Sequence, residues 1–435
     1  MVFRGKRRRG SFWIDISMLF DRRKFLTSAA ALSAGAFLPG IARAESIWDV
    51  LARNQLRGSV NAEDANAEAL ALIDTPEPIL SYDTAYNVQL AIGYYQKLVE
   101  ADIWVAPTRA TFGLQVGANG KAVATLKRYL ISLQDMEPAK TVSATFDAKL
   151  DAGLRKFQVR HGIVPTGKVD EATFYALQVS PAERLAQLQL NALRIDALTP
   201  ALEDRYLLIN IPAASIETVQ DGQVHTRHTA VCGKVDRATP IMNSKIHQVK
   251  FNPYWTVPKS IIEKDLTRYM TEDPLYLEKF HIRVFDSKGN EVDPSIIDFT
   301  NPADAVRYTF RQDPGGENSM GHCKIDFYNP YDCYLHDTPA KGLFAENVRF
   351  YSSGCVRAQN IDQIASWLLE ANGGWDITSV QAMFESNENV NVPLTFQTPI
   401  HTTYVTAWAN RQGAVFFRED IYGFDAQGRV TFEQA

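Results

Sequence analysis

At Arg205 the apolar patterning of this chain changes period, so no single regular architecture accommodates both halves. Before it, apolar residues recur three and four apart; after it, they alternate. Residues 206–211 alternate and are β-branched, Asp221-Gly222 is a hairpin turn, and 224–232 alternate again. Stretches 246–251, 308–311, 322–327, 332–336, 394–396, 402–408 and 415–418 read as further strands, with a hairpin around Arg411-Gln412-Gly413. Helical patterning returns at 261–270, 274–280 and 361–369. Residues 205–435 therefore predict a mainly antiparallel β domain with a helical, lid-like insertion at 256–300.

The segment upstream is helical, making the whole chain α+β and multidomain. Residues 45–110 read as a helical scaffold, with Val88, Ile92, Tyr95 and Val99 on one face and a break at Thr75-Pro76-Glu77-Pro78. Residues 111–179 read as a small helical module, glycine-punctuated at Gly113 and Gly117. Val123, Leu126 and Leu130 mark one helix face, and Leu150, Leu154 and Phe157 mark the next, entered by Phe146. Residues 180–204 hold a helix returning to the scaffold, with Leu185, Leu188 and Leu193 as its apolar positions.

The first 44 residues read as an export signal. Arg22-Arg23 precedes a mild apolar run from Thr27 to Leu38, and Ala42-Arg43-Ala44 forms a cleavage signal, a pattern of the twin-arginine type. The run is shorter than the roughly 20 residues a membrane span requires. Met18 stands four residues before Arg22, so Met1 and Met18 are both possible starts. Residues 1–44 hold nine Lys/Arg and two Asp/Glu, which leaves 36 basic and 48 acidic residues beyond them. That acidic balance disfavours nucleic acid as a partner. The expected location is the periplasm, with no membrane span once the signal is removed.

Four cysteines, at 232, 323, 333 and 355, are sparse for this length. Cys232, Cys323 and Cys333 lie in strand-like runs and read as buried thiols or one disulfide. Cys355 sits instead in a polar loop, Ser352-Ser353-Gly354-Cys355-Val356-Arg357, ahead of a helix. Tyr334-Leu335-His336-Asp337 precedes it, with fifteen residues between His336 and Ser352. A thiol attacks as thiolate, and an imidazole is the usual base. Amides near Ser353, Gly354 and Cys355 are placed to receive an oxyanion, and the helix start after Cys355 is expected to lower the thiol pKa. Arg349 and Arg357 bracket the loop as candidate carboxylate ligands. Asp337 points away from His336 on a strand and reads as structural; a backbone carbonyl is one candidate for orienting the histidine. His225, His228 and Cys232 lack metal-ligand spacing, so neither a metal nor another cofactor is expected.

Two stretches resemble known families. Phe157-Gln158, His161-Gly162-Ile163 and Gly167, with Thr166, Val169, Thr173 and Leu177, make 111–179 similar to the three-helix peptidoglycan-binding module. His336, its spacing to Cys355 and Ser352-Ser353-Gly354-Cys355-Val356-Arg357 resemble the L,D-transpeptidases with a YkuD-type catalytic domain. Ser353 and Arg357 depart from that family's broad His and Asn, and match its large YcbB-like subgroup. Supporting stretches are Ile211-Pro212-Ala213, Asn252-Pro253-Tyr254-Trp255, Arg311-Gln312-Asp313-Pro314-Gly315 and Tyr404-Val405-Thr406-Ala407-Trp408.

The resemblance implies a Cys355 thioester on peptidoglycan stem peptides, with His336 as proton carrier. It implies release of D-alanine from a tetrapeptide donor and formation of 3→3 cross-links. Ser353 and Gly354 belong to the oxyanion loop, and Arg357, Arg349, Ser352 and Tyr334 are the implied substrate ligands. An L,D-carboxypeptidase, a protein-to-wall ligase and an inactive wall-binding scaffold are the alternatives. Stem peptides, glycan strands and other wall synthases are the implied partners.

Overall fold

Ser81 opens helix α1 (Tyr82–Ala101) by accepting the Thr84 N–H, and Asp102 ends it in the left-handed conformation. The computed structural model describes residues 75–102 and 104–432, so the export signal and the first part of the scaffold lie outside the described residues. Val88, Ala91 and Tyr95 form the buried face of α1, while Val99, expected there, is exposed. Helices α2 (Lys121–Ser132), α3 (Ala148–Arg160) and α4 (Glu171–Gln178) make the module, and the apolar positions read from sequence meet in one core around Leu126, Phe146 and Phe157. Helix α5 (Pro181–Leu198) starts at a capping box on Ser180 and Glu183. It buries Leu188, Asn191, Ala192, Arg194 and Ile195, and exposes Leu193. The correction has a physical cause: Arg194 is buried because Asp425 and the Arg429 carbonyl meet its guanidinium.

The β domain runs through β1 (Arg205–Asn210), β2 (Ser215–Gln220), β3 (Gln223–Gly233), β4 (Met242–Phe251) and β5 (Trp255–Thr256). It continues through β6 (Ile282–Phe285), β7 (Thr309–Gln312), β8 (Cys323–Phe327), β9 (Leu335–His336) and β10 (Phe350–Ser352). After β11 (Val356–Ala358) comes helix α6 (Ile361–Leu369), then β12 (Val390–Thr403), β13 (Ala407–Ala409) and β14 (Val415–Phe417). The main sheet has the order β10-β3-β11-β9-β8-β4-β12-β1-β2, and β2 also pairs β3, so the sheet closes on itself. Pairing is mainly antiparallel, with parallel pairs at β1–β12, β10–β3 and β11–β9. The two strands expected at 394–396 and 402–408 are instead the long β12 and the short β13. A register shift between Pro393 and Thr398 interrupts the alternation within β12.

One face of the sheet packs against α6 in a core containing Leu207, Ile325, Val356 and Ile364. The insertion covers part of the other face. It carries the expected helical segments, including a π turn at Ile262–Leu266, and also β6, which joins β5 and β7 in a three-stranded sheet. Its Leu266, with Trp255 and Phe310 of the flanking strands β5 and β7, shares a core with Val231, Ala340 and Phe344, so apolar packing fixes its base to the β domain. Helices α1 and α5 pack with Tyr206, Leu208 and the β13–β14 hairpin on a separate side.

Candidate active site

Strands β9 and β11 run parallel, with Leu335 across from Val356 and His336 across from Arg357. The Val356 N–H donates to the Tyr334 carbonyl at 3.0 Å, which places Cys355 beside Tyr334. Alternation then sends Tyr334, His336, Cys355 and Arg357 to one face, while Leu335, Val356 and Ala358 enter the core. The same pairing extends to β8, where Lys324 lies across from His336. Lys324 Nζ sits 4.1 Å from the centre of the Tyr334 ring, and that ring meets His336 edge-on at 5.7 Å.

His336 is buried, and its Nδ1 lies 2.5 Å from the Asp337 carbonyl oxygen. A carbonyl only accepts, so Nδ1 carries the proton and Nε2 keeps its lone pair. Burial first, and the Arg357 charge second, push the imidazole pKa down to about 3 and keep it neutral. Its orienting group is therefore a backbone carbonyl. The Asp337 carboxylate is committed elsewhere: it accepts the His322 N–H at 3.1 Å and pairs with Lys341.

Cys355 is partly exposed and all four cysteines are free thiols. Its Sγ–H donates to the Asp332 carbonyl at 3.7 Å, and no hydrogen bond joins it to His336. The Cys333 thiol, which also donates to the Gly354 carbonyl at 3.4 Å, holds the Cys355 pKa below the usual thiol value. The Tyr334 N–H and hydroxyl add to this effect, and burial opposes it. The Cys333 pKa rises in turn, first through its hydrogen bond to Cys355, then through burial, and then through charge at Cys355. A helix does not follow Cys355 directly, contrary to expectation: β11 intervenes and α6 begins only at Ile361. The thiolate is thus supported by side-chain and backbone donors.

Gly354 has φ +115°, a conformation side chains resist, and its N–H donates to Ser352 Oγ at 3.2 Å. Ser352 Oγ donates in turn to the Cys355 carbonyl at 2.5 Å and is buried, so Ser352 shapes the loop and is not placed as a substrate ligand. Among the described residues, the amides of Ser353 and Cys355 have no acceptor, whereas that of Gly354 is occupied. Ser353 Oγ accepts from Arg237 Nη1 at 2.8 Å, and the same nitrogen is 3.1 Å from Asp265 on the π turn of the insertion. One guanidinium therefore links the loop beside Cys355 to the insertion.

The two candidate arginines separate. Arg357 is buried beside Cys355, and its Nε and Nη1 have no partner among the described residues. Burial lowers its pKa to about 10, opposed by charge at Cys355. Arg349 donates to the carbonyls of Glu346 and Ala213 and lines a cavity that excludes Cys355. It does not join the site, because those two carbonyls hold its guanidinium at the cavity wall. Sequence reasoning missed Lys324 and Arg237. The alternation Cys323-Lys324-Ile325-Asp326-Phe327 carries a signal for the first, since its charges share one strand face; Arg237 lies in a loop with no motif.

Residues 204–390 match the family described as "L,D-transpeptidase catalytic domain", and residues 119–177 match "Putative peptidoglycan binding domain". A Haemophilus influenzae protein named "Putative L,D-transpeptidase" is 35% identical over 221 residues, which is 51% of this chain and 45% of that protein. The chain thus spans under half the length of that relative. Among solved structures, an L,D-transpeptidase from Stackebrandtia nassauensis is 16% identical, covering 70% of this chain and 98% of that one at a TM-score of 0.27. One from Xylanimonas cellulosilytica is 12% identical, covering 68% and 100% at a TM-score of 0.22. The sequence matches carry the likeness: residues 204–390 match the YkuD L,D-transpeptidase catalytic domain, and residues 119–177 ahead of them match a peptidoglycan-binding domain.

Proposed function

We propose that this chain forms 3→3 cross-links between peptidoglycan stem peptides in the periplasm. The observation that supports it best is the grouping on one strand face of a stabilised thiol, a neutral imidazole with Nε2 unprotonated, and a buried guanidinium with unpartnered N–H groups. His336 Nε2 takes the Cys355 proton, and the thiolate attacks the carbonyl of the third residue of a donor tetrapeptide. The oxyanion is met by the free amides of Ser353 and Cys355. The C–N bond to D-alanine breaks, His336 returns the proton to the leaving amine, and a thioester remains. The side-chain amine of a second stem then attacks the thioester, gives a proton to His336 and expels the thiolate.

Arg357 binds a substrate carboxylate, Tyr334 borders the donor, and the insertion limits water access to the thioester. The module holds the enzyme on the wall and raises local substrate concentration. The twin-arginine-type stretch at 1–44 delivers the chain to that compartment. Incubation with purified disaccharide-tetrapeptide followed by mass spectrometry tests the reading. Cross-linked dimers lacking one D-alanine are expected, and Cys355→Ala abolishes them while wall binding persists. Tripeptide alone indicates a carboxypeptidase, and dimers from the Cys355→Ala variant refute the thioester.

A further inference from the structure

A cavity of about 130 Å³ lies where the module meets the β domain, lined from one side by Gly162 and Val164 and from the other by Arg349 and Arg418. Cys355 and His336 take no part in it. Its volume is that of about four water molecules at ~30 Å³ each, or of one small organic anion.

Two of its arginines, Arg349 and Arg418, have only neutral partners among the described residues. Arg349 donates to the carbonyls of Glu346 and Ala213 at 2.8 and 3.0 Å, and Arg418 to those of Arg160 and Phe417 at 2.9 and 2.7 Å. The Nε–H of each is buried without an acceptor among the described residues. Burial pushes the Arg418 pKa down to about 9, and the charge of Arg349 pushes the same way. The carboxylates on the cavity wall are engaged with other cations, Glu217 with Arg227 at 2.9 Å and Glu77 with Arg411. Asn410, buried on the wall, adds an Nδ2 that is unpartnered among the described residues. Buried like charges with unmade hydrogen bonds are costly, and an anion removes both penalties.

We propose that this junction cavity binds a small oxyanion, of the monocarboxylate class, between the Nε–H groups of Arg349 and Arg418. Its ligand bridges module and catalytic domain, because the module itself places Arg418. Gly162 has φ +72°, and a Cβ there would stand 2.8 Å from Arg418 Nε, so the His161-Gly162-Ile163 turn is fitted to that guanidinium. The Val164 N–H donating to Asn347 Oδ1 at 2.7 Å fixes the same turn on the β domain.

The test titrates the full chain with acetate, D-alanine and inorganic phosphate at constant ionic strength in chloride, reading heat and melting temperature. Saturable binding of at least one is expected, weakened at least tenfold in Arg418→Gln and in Arg349→Gln. It is also expected to be unchanged in Cys355→Ala, which separates this site from the transpeptidase reading. Acetate alone is enough to establish a carboxylate site; preference for D-alanine identifies an amino-acid carboxylate, and preference for phosphate reassigns the oxyanion. Should the glutamine variants not fold, Arg418→Lys keeps the charge without the fork and is expected to show the same tenfold loss. No saturable response to any of the three, or a response insensitive to the arginine variants, overturns the proposal.

Discussion

Arg357 stands directly across from His336 in the parallel pair of β9 and β11, on the face that Cys355 shares. The guanidinium and the imidazole thus have opposed demands met by one register. The cation keeps Nε and Nη1 unpartnered among the described residues, and its charge helps to keep the imidazole unprotonated.

Replacing the base isolates its part in the reaction. His336→Gln is expected to slow donor consumption by about 10²–10⁴-fold, the range for loss of a general acid–base. Far-UV circular dichroism is expected to stay unchanged, and a rate within threefold of the parent protein would exclude His336 as proton carrier.

Arg357→Lys keeps a charge and removes the planar fork. Loss of a charged hydrogen bond of about 1.5–3 kcal/mol predicts a fall in kcat/KM of about 10- to 100-fold. Steady-state kinetics on the tetrapeptide donor reads it, and an unaltered kcat/KM removes Arg357 from the carboxylate site.

Cys333 supplies the largest stabilisation of the Cys355 thiolate. In Cys333→Ala the Cys355 pKa is expected to rise, so the pH midpoint for alkylation by iodoacetamide moves upward. A midpoint at the parent value would show that the neighbouring thiol has no such effect.

Two buried histidines predict acid sensitivity. Their folded pKa values, about 4 for His228 and about 3 for His336, lie below the ordinary 6.5. The unfolded chain therefore takes up protons first, and stability present above pH 6.5 is lost as pH falls toward those values. The His228 shift corresponds to about 3 kcal/mol by pH 4. His228→Gln is expected to flatten urea-derived stability between pH 6.5 and 4; an equally steep profile contradicts the assignment.

Gly354 has φ +115°, yet the nearest atom to a Cβ added there is the Ala238 carbonyl oxygen at 3.6 Å. Space exists, so the cost of Gly354→Ala is conformational, about 1–3 kcal/mol. A lower melting temperature together with at least tenfold slower thioester formation is expected, and a variant with parent stability refutes the strain.

Much of the fold was legible because local patterns carried it. The two apolar helix faces read in the module converge on Phe146 and Phe157, and alternation located most strands of the β domain. β12 was divided in error because a register shift broke its period. The insertion strand β6 escaped notice because its pairing partner, β7, lies at a distance in sequence.

By itself the sequence determined the nucleophile and base candidates, the helix-to-strand change at Arg205 and the two family resemblances, because each depends on residues close together in the chain. Only the tertiary structure decided their company. It set Cys333 and Tyr334 around the Cys355 sulfur, added Lys324 and Arg237, turned Ser352 inward and sent Arg349 to a separate cavity. These outcomes hang on strand register and loop closure, where a one-residue slip reverses every side chain, and alternation alone specifies the two faces without saying which strands meet.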